Sequence, residues 1–164
     1  MKYIITFWII YFVIPANLFA TEQIPDLVIL EGKTYYLHAY GLDFPLEPYF
    51  KNKTRPKFGE DNNKQPQLST ACHRGYKAIW HIIEKKLTLI SIDTFVEGKK
   101  ASVTDIVGKN NVAKWFSGNI TVREFNEPWS PAKILTFEKG ILKKISDKPN
   151  PLDLFLSQTA ENQK

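Results

Sequence analysis

The sequence predicts a mainly β fold, a single antiparallel β-sandwich or partly open barrel carrying one or two short helices. Three observations point there. Between Ala71 and Ile83, Cys72, Arg74, Tyr76, Ala78, Trp80 and Ile82 alternate with His73, Gly75, Lys77, Ile79 and His81, the period of two that belongs to a strand. Short runs rich in branched and aromatic residues are separated by Glu31-Gly32-Lys33, Glu97-Gly98-Lys99-Lys100 and Glu138-Lys139-Gly140, the polar punctuation of hairpins. No internal repeat, heptad or low-complexity tract competes with these patterns.

The chain opens with Lys2, an apolar run from Tyr3 to Ile14, the breaker Pro15 and the small Ala20 ahead of Thr21-Glu22-Gln23. This is the layout of a secretory signal peptide over residues 1–20. The run is far shorter than the roughly 20 residues a membrane span needs, so no permanent membrane anchor is expected, and the destination is the periplasm or the exterior. What remains divides into a β domain over residues 21–146 and a partly ordered C-terminal tail over residues 147–164. That is one domain of ordinary size, able to bury a core without metal or disulfide staples.

Charge and cysteine usage narrow the function classes. The whole chain carries 22 Lys plus Arg against 17 Asp plus Glu. Loss of Lys2 with the signal leaves 21 against 17, or +4. The positives are scattered, mostly in turns, and solubility explains them, with an acidic cell-surface polymer or lipid headgroup as the alternative partner they would suit. A nucleic-acid binder would need a basic stripe with interleaved aromatics, and none is present in the sequence. The single cysteine, Cys72, cannot form an internal bridge in an oxidising compartment. It is buried, joined to a second chain or reactive, and burial is the expectation.

Taken in order, Leu27–Leu30 and Thr34–Leu37 form an opening hairpin in which Tyr35 and Tyr36 face opposite ways, so at most one enters the core. Pro45 and Pro48 restrict residues 41–50 to one helical turn, around Leu46 to Phe50. Residues 51–68 are polar, contain Pro56, Gly59 and Pro66, and read as a long surface loop of the kind that is often functional. The central hairpin follows, its second strand running from Leu87 to Ile92 after the break at Glu84-Lys85-Lys86. Ser102 to Val107 is a strand end or a short helix capped by Ser102 or Thr104. Asn119–Glu124 is a strand, and Lys133–Phe137 with Ile141–Ile145 is the last hairpin. In the tail, Asn150 and Pro151 could start one helical turn over Leu152 to Leu156.

A thiol enzyme would need a base near Cys72. On a continuous strand His73 and His81 point to the face opposite Cys72, which leaves only His38. One metal ion cannot bridge His73 and His81 either, since eight residues of strand span about 26 Å. No phosphate loop, helical metal motif or serine elbow is present in the sequence, and no cofactor is expected. Arg74 shares a face with core residues, so it either sits at the core rim or is buried with a carboxylate, for which Asp43, Glu47 and Asp105 are the expected partners. An anion-binding cleft around Arg74 is the alternative. Trp80 and Trp115 are expected in the core, and Trp129, in a loop between prolines, is the better ligand contact. The candidate binding residues are Arg74, Tyr76, Trp80, Trp115 and Trp129.

The run Ser69-Thr70-Ala71-Cys72-His73-Arg74-Gly75-Tyr76-Lys77-Ala78-Ile79-Trp80, with Trp115-Phe116-Ser117-Gly118 downstream, resembles a family of small uncharacterised bacterial proteins that share T-A-C-x-R-G-Y-x-A-x-W and W-F-x-G. The resemblance extends from about Gly32 through Phe137 and includes Pro45-Leu46-Glu47. It implies no activity. The leading expectation is a non-enzymatic binding or interaction module that engages an envelope or extracellular macromolecule, its oligomeric state left open. The alternatives are an enzyme using Cys72 or an Arg74 cleft, and a small-molecule carrier with a cavity lined by Tyr76, Trp80 and Trp115.

Overall fold

Tight two-residue turns shape the fold. In the computed structural model, which describes residues 24–37, 44–56, 72–127 and 129–148, both central residues take positive φ at Glu31-Gly32, Glu84-Lys85, Glu97-Gly98 and Lys139-Gly140. Paired positive φ values mark type I′ turns, whose twist matches that of the strands they join. They connect β1 (Asp26–Leu30) to β2 (Lys33–Leu37), β3 (Tyr76–Ile83) to β4 (Lys86–Val96), β4 to β5 (Lys99–Lys100), and β7 (Lys133–Glu138) to β8 (Ile141–Asp147). β6 (Gly118–Glu124) lies between β2 and β7. Two short helices complete the described elements, α1 (Glu47–Phe50) and α2 (Val103–Val107). The expected signal peptide, most of the expected long loop, His38, Asp43 and the tail beyond Lys148 lie outside the described residues.

The strands run in the order β3-β1-β2-β6-β7-β8-β4, and β4 pairs back onto β3, closing a seven-strand barrel with β5 as an appendage. The expected mainly β architecture with two short helices is what forms, and the barrel is closed. One pairing departs from the expected antiparallel pattern. β1 and β3 run parallel, with Leu27, Val28 and Ile29 opposite Ile79, Trp80 and His81. Closure is narrowest between β8 and β4, which share the single register pair Lys86↔Ile141. Leu87 N donates to Gly140 O at 2.8 Å and Leu142 N to Lys85 O at 2.7 Å across that seam. Farther along the β4 edge, residues 111–113 take over: Leu89 N donates to Asn111 O and Ala113 N to Leu87 O.

Alternation along each strand fills the interior. Val28, Leu37, Trp80, Leu87, Leu89 and Leu135 are all at or below 1% exposure, and each aliphatic one contributes about 1.5–3 kcal/mol of burial. Tyr35 joins them, whereas Tyr36 faces out and packs on Phe125 with ring centroids 4.5 Å apart. The segment of α1 closes the barrel end at the start of β3, placing Phe44, Leu46 and Phe50 in the core and the Phe50 ring 5.8 Å from that of Tyr76. Tyr49 OH bonds Ile106 O at 2.8 Å, and Trp115 Nε1 bonds Pro45 O at 2.8 Å, so α2 and the 112–116 segment hold α1 in place. The helix reading of 102–107 is the one that forms, with Ser102 and Asp105 making a reciprocal capping box.

The expected strand from Ala71 begins later, at Tyr76. Gly75, at φ +80°, turns the chain, and its N–H closes a turn on Cys72 O at 3.0 Å. Cys72 and Arg74 therefore sit on a turn leading into β3, and strand parity does not set their directions.

Candidate functional site

Asp26 and Arg74 form the polar centre of the barrel. Asp26 precedes Val28 and Leu30 on the inward face of β1, and the parallel pairing with β3 sets it beside the turn that carries Arg74. Arg74 Nη2 donates to Asp26 Oδ1 at 3.0 Å and to Ile24 O at 2.7 Å. Asp26 also accepts from Ala78 N at 3.0 Å and from Trp80 Nε1 at 3.3 Å. Asp26 is fully buried and Arg74 is 6% exposed. The expected partners of Arg74 are thereby corrected. Asp105 is spent on its helix cap, Glu47 binds Arg55 and Tyr76, Asp43 lies outside the described residues, and the partner is Asp26.

Burial pushes the Asp26 carboxyl up to about 6, against the opposing pull of the Arg74 charge and the Ala78 and Trp80 donors. The guanidinium lies over the Phe44 ring, 3.7 Å from its centroid, and 5.3 Å from the Tyr76 ring. Tyr76 OH reaches Glu47 Oε1 at 3.1 Å, and Glu47 pairs with Arg55 at the rim. Burial drives the Tyr76 phenol far above its ordinary range, with the Asp26 and Glu47 charges adding to the rise. Cys72, 5% exposed, directs its thiol to Tyr76 O at 3.2 Å, and burial raises its pKa as well. A raised thiol pKa is the opposite of what a nucleophile needs.

Of the candidate residues, the structure brings Arg74, Tyr76 and Trp80 together in the interior, and all three are buried. Trp115 is half-buried against Tyr49, ring centroids 4.7 Å apart. The interior that a carrier would keep open is occupied by Tyr76, Trp80 and the aliphatic core. Trp129 stands apart, 95% exposed, in the β6–β7 connection. There Ser130 N donates to Glu127 O at 2.9 Å.

The same connection contributes Phe125, 41% exposed, to a groove of about 460 Å³ on the outer face of β1, β2 and β3. Ile24, Pro25, Leu27, Tyr36 and Ile79 form its walls, and Lys77 and Asp93 stand at its margin. Among the described residues, no group of three or more His, Cys, Asp and Glu side chains is placed to hold a metal ion. No described helix is long and apolar enough to cross a membrane.

Protein-family models, curated proteins and solved structures yield no match to this chain.

Asp26 and the outer groove are the residues that pattern reading passed over. Asp26 had a signal, since it shares parity with Val28 and Leu30, but a strand begun at Leu27 leaves it out. The groove had a weaker one: Leu27, Ile29 and Ile79 are apolar at outward positions, where a half-solvated sheet ordinarily carries polar side chains.

Proposed function

We propose that this chain is an exported, non-catalytic β-barrel that binds another protein of the periplasm or exterior through the β6–β7 connection and the adjoining outer face of β1–β3. The observation that carries the reading is Trp129, an indole held in solvent at 95% exposure. Exposed tryptophan is the residue type most enriched among binding hot spots. The neighbouring groove supplies the rest of an interface, with apolar walls, the Tyr36–Phe125 aromatic pair and one charge of each sign at its edge.

A protein partner fits better than an anionic polymer, because the surface lysines are interleaved with carboxylates. Lys33 pairs with Glu124, Lys77 with Asp93 and Lys143 with Glu138. Export is supported by the apolar run from Tyr3 to Ile14 and by Ala20 before Thr21.

A photo-crosslinking residue placed at position 129 or 125 in cells tests the reading. The expected result is one defined protein adduct from both positions, absent from a probe at position 144 and lost when Leu27→Asp spoils the groove. Binding of the purified partner should weaken about 30-fold or more with Trp129→Ala, the loss of a hot spot worth about 2 kcal/mol. Adducts that survive Leu27→Asp in a folded barrel, or that appear equally at position 144, overturn it.

A further inference from the structure

The barrel end beside the β1–β2 turn carries charge at inward positions that are apolar elsewhere. Cross-strand neighbours share a face, and Leu30, Val28 and Val122 are buried in the core. Their register partners Lys33, Tyr35 and Lys133 therefore turn inward too, as do Glu124 opposite Tyr35 and Asp147 opposite Lys133. At this mouth they line a groove of about 480 Å³, a volume suited to a small organic ligand. Leu30 and Ile145 give it an apolar wall, and Ile145 is 42% exposed although it lies opposite the fully buried Leu135.

The charges around the groove do not balance. Four carboxylates, Glu31, Glu124, Glu127 and Asp147, share it with two ammonium groups, Lys33 and Lys133, which leaves −2 in a chain whose formal charge is +5. Both lysines are engaged. Lys33 Nζ donates to the Glu124 carboxylate at 2.9 and 3.2 Å, and Lys133 Nζ to Asp147 Oδ1 at 3.4 Å. Glu31 and Glu127 make no ion pair among the described residues.

Carboxylates alone would mark only a solvated rim. Tyr35 is an independent observation. It is 6% exposed, it lines the groove, and its hydroxyl has no hydrogen-bond partner among the described residues. The Lys33 pKa is raised, first by the hydrogen bond to Glu124 and next by the Glu124 charge, with Tyr35 and Glu127 adding to the rise. The phenol oxygen and the Glu127 carboxylate therefore lie on the Lys33 side of the mouth. A buried tyrosine hydroxyl ordinarily finds a partner, and here the groove is where one can enter.

We propose that the mouth of the barrel binds a small organic cation, an aliphatic diamine, with one ammonium donating to Tyr35 Oη and Glu127, the methylene stem along Leu30 and Ile145, and the second ammonium at Glu31. Its two positive charges match the two unpaired carboxylates. The site is separate from the outer face of β1–β3 and does not rest on Trp129.

Calorimetric titration of the purified whole chain with cadaverine at neutral pH tests this, beside pentanol, which has the stem without the charges, and glutarate, which has the charges reversed. Cadaverine is expected to bind one to one with a Kd below about 1 mM, and neither analogue to give a saturable heat. Tyr35→Phe should weaken binding about tenfold without lowering the thermal midpoint, because the hydroxyl it removes has no partner in the protein. Glu127→Gln, at an exposed position, should weaken it about threefold. Glu97→Gln, in the β4–β5 turn, should leave it unchanged. Absence of saturable cadaverine binding overturns the proposal. Equal binding of pentanol overturns it by reducing the mouth to an apolar groove, and preference for glutarate by making the lysines the determinant. Unchanged affinity in either Tyr35→Phe or Glu127→Gln overturns it as well, since the cation would then sit elsewhere. All of these outcomes are read without a protein partner, so failure here leaves the partner-binding reading intact.

Discussion

Arg74 and Asp26, 48 residues apart in sequence, meet inside the barrel in a 3.0 Å ion pair that solvent does not reach. The two sides of the pair are not equally replaceable. Removing Arg74 leaves a carboxylate that still accepts from Ala78 N and Trp80 Nε1 and can take up a proton. Removing Asp26 leaves a buried guanidinium that cannot lose its charge, together with two N–H donors deprived of their acceptor.

Both single replacements should therefore destabilise strongly, and unequally. Arg74→Ala is expected to cost about 3 kcal/mol and Asp26→Ala about 5 kcal/mol, spanning the usual range for breaking a buried pair. Urea denaturation of both variants checks the order. Equal losses, or a smaller one for Asp26→Ala, would show that the donors around Asp26 find other acceptors.

The same carboxyl predicts a pH dependence. Its folded value of about 6 lies above the ordinary 3.8, so between those values the folded chain holds more protons than the unfolded one. Stability then falls as pH rises from about 4 to about 6 and levels off above. Asp105, held low by its Ser102 hydrogen bonds, acts in the opposite sense, and only below about pH 4. Unfolding midpoints between pH 4 and 7 should show the decline, and Asp26→Asn should flatten it. A midpoint that rises over this window in the unsubstituted chain contradicts the assignment.

Local chemistry was legible in the sequence and long-range pairing was not. Glu31-Gly32, Glu97-Gly98 and Lys139-Gly140 mark turns because few residues accept positive φ, and Ser102 with Asp105 spells a capping box within four residues. The parallel contact of β1 with β3 leaves no such local trace. It depends on the barrel closing, and it is what delivers Asp26 to Arg74, a pairing that sequence alone assigned to carboxylates nearer along the chain. Gly75 was the visible warning that the strand could not start at Ala71, and a clean alternation masked it. Trp129 was legible as an exposed loop residue because its flanking prolines exclude it from a strand interior.

Cys72 should behave as a sequestered thiol. At 5% exposure, bonded to Tyr76 O and with its pKa raised by burial, it presents little thiolate to reagents at neutral pH. Alkylation of the native chain is expected to be at least tenfold slower than of the chain unfolded in urea. Cys72→Ser should fold, with a loss of about 1 kcal/mol, and retain partner binding. Rapid labelling of native protein below pH 7 would assign the thiol a chemical role instead.

Gly140 and Gly32 occupy the same position of their type I′ turns, at φ +76° and +75°, and differ in what surrounds them. A Cβ on Gly32 would meet nothing within 4 Å, so Gly32→Ala carries only the cost of a left-handed alanine, about 1 kcal/mol. A Cβ on Gly140 would stand 2.6 Å from Ala113 O and 2.8 Å from Ala113 C, both backbone atoms that no rotamer change can move aside. Gly140 also donates to Phe116 O at 2.7 Å and accepts from Leu87 N at 2.8 Å, so displacing it strains the seam where β8 closes onto β4. Gly140→Ala is expected to lower stability at least twice as much as Gly32→Ala, and the excess should be accompanied by faster amide exchange at Leu87 and Ala113. Thermal melts of the two variants side by side provide the comparison. Equal losses would mean that the 111–116 segment shifts away without penalty and that the seam tolerates being widened.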